Sequence, residues 1–179
     1  CGVGRLSAPL SKKGFIITGI DISEKELELA KKNDIVSNYE SGDIRNWQSK
    51  LKHDLAICMW STLNYLSTEK SITEFFKCQY NNLVDEGLLL IDLKNPQTIP
   101  EKEIKKKLFS FPHEMELSIK KSKTNNYLEG IYNHKITNVI NHDTITISDQ
   151  ELYRIYFEKD ILNLSLGNFE LLEVFGDYD

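Results

Sequence analysis

"CGVGRLSAPLSKKGFIITGID", residues 1–21, is the stretch on which the fold turns. Gly2 and Gly4 are spaced to close a tight turn, and residues 15–21 form a nearly continuous apolar, β-branched run ending in an acid. Such a run is the mark of a parallel strand covered on both faces. The glycine turn has two readings. Its backbone can pass close to a ligand, with the following helix offering free N–H groups to an anion, or it can simply ease the packing of strand on helix. Asp21 favours the first, because an acidic side chain at the carboxyl end of the next strand can accept both hydroxyls of a ribose. A turn also needs a strand to turn from, so a strand is expected ahead of Cys1.

Working outward, "SEKELELAKKN" (23–33) reads as a helix. Ser23 is its N-cap, Glu26 completes a capping box, Leu27 and Ala30 share a face, and Lys31 and Lys32 suit its C-terminus. "HDLAICMW" (53–60) is a second buried strand, and "STEKSITEFFKCQYNNLVDEG" (67–87) a long amphipathic helix. Ile72, Phe75, Phe76 and Leu83 mark the inner face of that helix, and Gly87 ends the turn after it. "LLLIDLK" (88–94) is a third apolar strand. Strands that are apolar throughout, alternating with helices, predict an α/β fold of Rossmann-like type with a doubly wound, mostly parallel sheet.

After Pro96 the texture changes. "EKEIKKKLF" (101–109) reads as a charged, helical, solvated face. "EMELSIKKS" (114–122), "YLEGIYNHKITNVI" (127–140) and "DTITISDQELYRIYF" (143–157) alternate, and "KTNN" and "NHD" between them suit hairpins. About three strands of an inserted antiparallel β-meander are expected. "EKDILNLSLGNF" (158–169) then reads as a short helix closed by Gly167, and "ELLEVFGDYD" (170–179) as an edge strand. The expected division is an α/β core over 1–96, the meander over 97–157, and a return to the core over 158–179.

The chain has 179 residues, enough for one sizeable core, and is 40% hydrophobic and 27% charged. Its net charge of −5 argues against non-specific nucleic-acid binding, which needs a basic face. The three cysteines, Cys1, Cys58 and Cys78, form no CxxC pair. They read as reduced thiols of a cytoplasmic protein rather than as a disulfide frame or a metal site, and no metal is expected. No apolar run approaches the roughly 20 residues of a membrane span.

Two cofactor classes share a glycine turn followed by an acidic strand end. A dinucleotide fingerprint wants a third glycine where Ser7 stands. The second discriminator is Gly42–Asp43–Ile44, which follows a short candidate strand. A carboxylate there can accept the adenine amino group while Ile44 packs on the ring; read alone, "GDIRNW" is equally an ordinary polar loop. Together, "CGVGRLS…KKGF…TGIDIS…LELAKK…GDIRNW…HDLAICMWSTLNYL…EGLLLIDLKNP" resembles the class I S-adenosylmethionine-dependent methyltransferases, most of all their small-molecule branch.

The resemblance covers residues 1–96 and returns in "GNFELLEVFGDYD". It implies S-adenosyl-L-methionine as cofactor and S-adenosyl-L-homocysteine as product. It implies too that Gly2 and Gly4 cradle the methionine portion, Asp21 with its neighbour Ile22 holds the ribose, Asp43 and Ile44 meet the adenine, and Arg5 reaches the cofactor carboxylate. The family's first core strand and its acid are expected before Cys1, and a further strand after Asp179. The loop 58–66 should cross the cleft mouth, because open α/β sheets bind ligands outside the carboxyl ends of their strands. Trp60, Asn64 and Tyr65 are candidates to line it, Trp60 being equally readable as core. Asn95 is a turn residue before Pro96 or a further cleft-edge group. On the meander, Tyr132, His134, Arg154 and Tyr156 are candidates to face an acceptor. No catalytic base is assigned, since orientation does most of the work of methyl transfer; His134 could deprotonate an amine. The expected function is therefore methyl transfer to a small-molecule acceptor, with no membrane partner. The alternatives are a nicotinamide-dependent oxidoreductase on a similar sheet and a non-catalytic partner module.

Overall fold

The computed structural model describes residues 1–98, 104–110, 112–121, 127–137, 142–165 and 167–176. The glycine turn leads into a one-and-a-half-turn helix, α1 (Ser7–Lys12), and then strand β1 (Thr18–Asp21). Helix α2 (Glu24–Asn33) carries the chain to β2 (Asn38–Ser41), which pairs with β1 in parallel, Thr18 opposite Asn38 and Asp21 opposite Ser41. Strand β3 (His53–Cys58), a 3-10 turn (Thr62–Tyr65), helix α3 (Glu69–Asn82) and strand β4 (Leu83–Ile91) make a second parallel unit. Four strands follow, β5 (Ile104–Ser110), β6 (His113–Lys121), β7 (Tyr127–Thr137) and β8 (Thr144–Arg154), all antiparallel and in sequence order. Helix α4 (Glu158–Leu164) closes the succession.

Local chemistry explains the helices. Ser23 Oγ accepts the Glu26 N–H at 3.3 Å, Glu24 and Glu26 stand at the positive end of the α2 dipole, and Lys31 and Lys32 at the negative end. Only half of the expected capping box is present, the serine's half. In α3 the box is complete, between Thr68 and Ser71. The apolar positions 72, 75 and 76 then fall on one stripe. Ile72, Phe75 and Phe76 bury completely with Leu63 and Tyr156, and Cys58, Leu89 and Ile91 pack beneath them. Each large side chain so buried contributes about 2–3 kcal/mol.

The β3–β4 pair shows the period of a sheet covered on one face. Cys58, Leu89 and Ile91 point to the α3 core, while Leu55, Ile57, Leu88 and Leu90 are exposed. The sequence predicts strands covered on both faces; in this pair one face lies against α3 and the other is partly open. No ladder joins β1–β2 to β3–β4 among the described residues.

Several boundaries differ from expectation. The first strand begins at Thr18, because Phe15 and Ile16 lie exposed in the approach to it. The long helix stops at Asn82, and Gly87 lies inside β4 rather than in a turn. Residues 104–110, read as helix, are strand β5. Their backbone pairs along β6 and Lys107 finds Glu116 at 2.7 Å, so the meander has four strands and not three. The hairpin "KTNN" lies outside the described residues; His142 of "NHD" takes a left-handed φ of 61°. Residues 170–176 form no strand, and Leu172, Val174 and Phe175 stay exposed. Among the described residues no helix is long and apolar enough to cross a membrane, and no cluster of side chains could hold a metal ion.

Candidate functional site

The carboxyl end of β1 gathers three loops. Asp21 Oδ2 accepts the Gly2 N–H at 2.7 Å, and Oδ1 accepts the Ser23 N–H at 3.0 Å. Burial works against the ionised form, but the hydrogen bonds, with the Ser23 and Gly2 amides among them, outweigh it and hold the Asp21 pKa below its ordinary value. The Asp21 carbonyl accepts the Gly42 N–H at 3.0 Å, bringing the loop after β2 to the same edge. The glycine turn, Asp21 and the loop Gly42–Asp43–Ile44 thus meet at one strand end.

Both turn glycines adopt left-handed backbone, φ 55° at Gly2 and 81° at Gly4. They differ in what a side chain would meet. A Cβ at Gly4 would lie 2.8 Å from Tyr39 Oη and 3.5 Å from Ala30 Cβ, whereas at Gly2 only Glu26 Oε2 comes near, at 3.5 Å. Gly4 therefore serves close packing on β2 and α2. Gly2 serves the turn that aims an amide at Asp21.

The Asp43 carboxylate is gripped by its neighbour. Arg45 Nε lies 2.9 and 3.0 Å from its two oxygens and holds its pKa below the ordinary range. Ile44 packs against the α3 core rather than standing free, and the adjacent Ile22 is largely exposed. The loop is fastened from α3 by groups that the sequence did not single out. Gln79 Nε2 donates to the Ile44 carbonyl at 3.0 Å, Asn82 Nδ2 to the Trp47 carbonyl at 2.9 Å, and Asn82 Oδ1 accepts the Ser49 N–H at 2.9 Å. A polar residue at i+3 or i+4 along an otherwise apolar helix face was the available signal.

The loop after β3 approaches from the other side. The Arg5 guanidinium stands over the Trp60 ring, 4.6 Å from its centroid, and half of Trp60 is solvent-exposed. Trp60 and Ser61 both have left-handed backbone, φ 60° and 56°, a conformation costing roughly 1–2 kcal/mol per non-glycine residue. Asp92, at the end of β4, compensates. Its Oδ2 accepts the Trp60 N–H at 2.8 Å and its Oδ1 the Ser61 N–H at 2.5 Å. Burial, with the Asp92 charge nearby, pushes the Cys58 thiol up to about 12, so it stays protonated.

The acceptor-side candidates separate. Asn64 is fully buried. Its Nδ2 donates to the Arg154 carbonyl at 2.6 Å and its Oδ1 accepts the Lys94 N–H at 3.1 Å, tying the 3-10 turn to β4 and β8. Asn95 accepts the Gln97 N–H at 2.9 Å, as a turn residue does. Tyr65 is half exposed, with its hydroxyl 2.9 Å from Tyr153 Oη and 3.1 Å from Glu151 Oε1. Lys94 Nζ lies 4.4 Å from the Tyr153 ring centroid at the same place. Arg154 reaches the Ser67 carbonyl at 3.1 Å and lies over the Tyr156 ring, which is itself core and donates to the Leu66 carbonyl. His134 stands on the sheet stacked on His113, with Nδ1 3.0 Å from His113 Nε2. Tyr132 pairs by backbone with Leu117 and Asp149, and its side chain lies outside the described residues. Tyr65 alone of these combines exposure with a position in the loop that follows β3.

Residues 1–87 match the family model described as a methyltransferase domain. YqeM of Bacillus subtilis (strain 168) is 33% identical over 107 residues, 56% of this chain and 42% of that protein. A ubiquinone biosynthesis O-methyltransferase of Rickettsia typhi (strain ATCC VR-144 / Wilmington) is 27% identical over 99 residues, 53% of this chain and 39% of that one. Among solved structures, an S-adenosylmethionine-dependent methyltransferase from Clostridium acetobutylicum ATCC 824 superposes with a TM-score of 0.81 at 18% identity, over 94% of this chain and 69% of that one. The chain thus spans about two fifths of the length of these curated relatives.

Proposed function

We propose that the protein transfers a methyl group from S-adenosyl-L-methionine to a small-molecule acceptor, a reading supported by the match of residues 1–87 to the methyltransferase-domain model and by the fold shared with a solved methyltransferase. The observation that carries this reading is the meeting of Gly2, Asp21 and Gly42 at the end of β1. It is the acceptor set a nucleoside needs: a carboxylate for two ribose hydroxyls beside a loop carrying a second carboxylate, Asp43, for the adenine amino group. Gly2 and Gly4 would shape the turn around the methionine portion, with Arg5 for its carboxylate. Ile22 and Ile44 would flank the ribose and adenine, and Trp60 would close the cleft.

S-adenosyl-L-methionine supplies an activated methyl group on a sulfonium. What the chain must add is orientation of the acceptor and exclusion of water. The antiparallel sheet is proposed to roof the acceptor side, with Tyr65 as the group that meets the acceptor. Arg154, Asn64 and Tyr156 would fix the sheet to the loop after β3. A small acceptor suits the net charge of −5, and one relative is named for ubiquinone biosynthesis. The free thiols suit a cytoplasmic setting.

Calorimetric titration of the full-length protein with S-adenosyl-L-homocysteine tests the reading, alongside an Asp21→Ala variant and NAD as control. Micromolar binding to the wild type and its loss in the variant are expected. Absence of binding to the wild type, or binding of NAD in its place, overturns the proposal.

A further inference from the structure

We propose that Asp92 is a positioning residue for the cofactor cleft, a proposal that rests on the methyltransferase reading above. Its two oxygens take the amide protons of consecutive residues, Trp60 and Ser61, from across the β3–β4 ladder, 2.8 and 2.5 Å away. The Asp92 N–H itself donates to the Cys58 carbonyl at 3.1 Å, so the carboxylate is fixed on the last rung of the pair. Both residues it holds are non-glycine and left-handed, a conformation that persists only where surrounding contacts enforce it. An ionised carboxylate is the side chain suited to two adjacent N–H donors. The amide of an asparagine would match one and present its own NH₂ to the other.

What Asp92 holds is the backbone from which the Trp60 ring projects, and on that ring lies the Arg5 guanidinium of the glycine turn. A continuous line of contacts therefore runs from β4 through the loop after β3 to the turn that begins the cofactor site. Asp92 thereby sets where Trp60 and Arg5 stand.

The test is a double-variant cycle in the full-length protein, Asp92→Asn and Arg5→Gln singly and together, read by S-adenosyl-L-homocysteine affinity and by melting temperature. Asp92→Asn is expected to weaken binding roughly tenfold to a hundredfold, the scale of one charged hydrogen bond. Arg5→Gln should lose less, and the double variant should bind no more weakly than Asp92→Asn alone, because both act through Trp60. Losses that multiply, or a lowered melting temperature with unchanged affinity, would mean that Asp92 only stabilises the loop and would overturn the inference. If Asp92→Asn does not fold, Asp92→Glu keeps the charge, displaces it by one methylene and carries the same expectation. Binding by the wild type with unaffected variants removes the inference and leaves the cofactor reading standing. Failure of the wild type itself to bind removes both.

Discussion

Asp21 holds the amides of Gly2 and Ser23 with its two carboxylate oxygens. Although burial opposes ionisation, those bonds keep its pKa below the usual aspartate value. A carboxyl whose folded pKa is depressed contributes stability above its unfolded pKa, near 3.9, and loses it as pH falls through the lower folded value. The turn should therefore hold throughout the neutral range and fail only in strong acid. Unfolding measured between pH 6 and about pH 2 should show an acid-induced loss that shrinks in Asp21→Asn; an unchanged acid limb would exclude Asp21 as a contributor. Asp21 is legible in the sequence because it ends an apolar run at a strand terminus. Asp92 is not, since "LLLIDLK" shows an acid in a strand but gives no hint of the two amides it meets across the ladder. The packing role of Gly4 is equally hidden, for it depends on Tyr39, thirty-five positions away.

The elements hold the site through a few buried polar side chains as much as through apolar area. Asn64 is the clearest case, joining the 3-10 turn to β4 and β8 from a fully buried position. Asn64→Ala would leave a buried amide and a buried carbonyl without partners, and should cost about 2–4 kcal/mol in denaturant unfolding. If Asn64 served only the acceptor, stability would be unchanged and KM alone would rise. Helix α3 and the strands around it are readable from periodicity, because Ile72, Phe75 and Phe76 recur at helical spacing and the strands are apolar runs. Strand β5 is not readable. Its run of lysines mimics a solvated helix, and only pairing with β6, including Lys107 with Glu116, decides otherwise. Residues 170–176 err the other way, since their apolar residues suit a strand and find no partner among the described residues.

Taken as a whole, the molecule joins two kinds of sheet with opposite demands on the chain. Each strand from β5 to β8 pairs with its neighbour in sequence, whereas β1 must wait for α2 before it meets β2, and β3 for α3 before it meets β4. Alternation of strands and helices made the parallel pairs legible, but which strands would lie unjoined depends on ladders that no local pattern encodes. Closing short loops costs less chain entropy than closing a crossover, so the antiparallel sheet has the lower contact order. Native-state hydrogen exchange should show β6 and β7, each flanked on both sides, as the slowest-exchanging strands of that sheet, with the edge strands β5 and β8 faster and the parallel pairs opening in separate steps. One common exchange rate for all the strands would mean a single cooperative unit instead. The consequence of the four-strand meander is then one of timing: it can assemble as soon as its own residues are available, without waiting for a crossover helix to bring distant strands together.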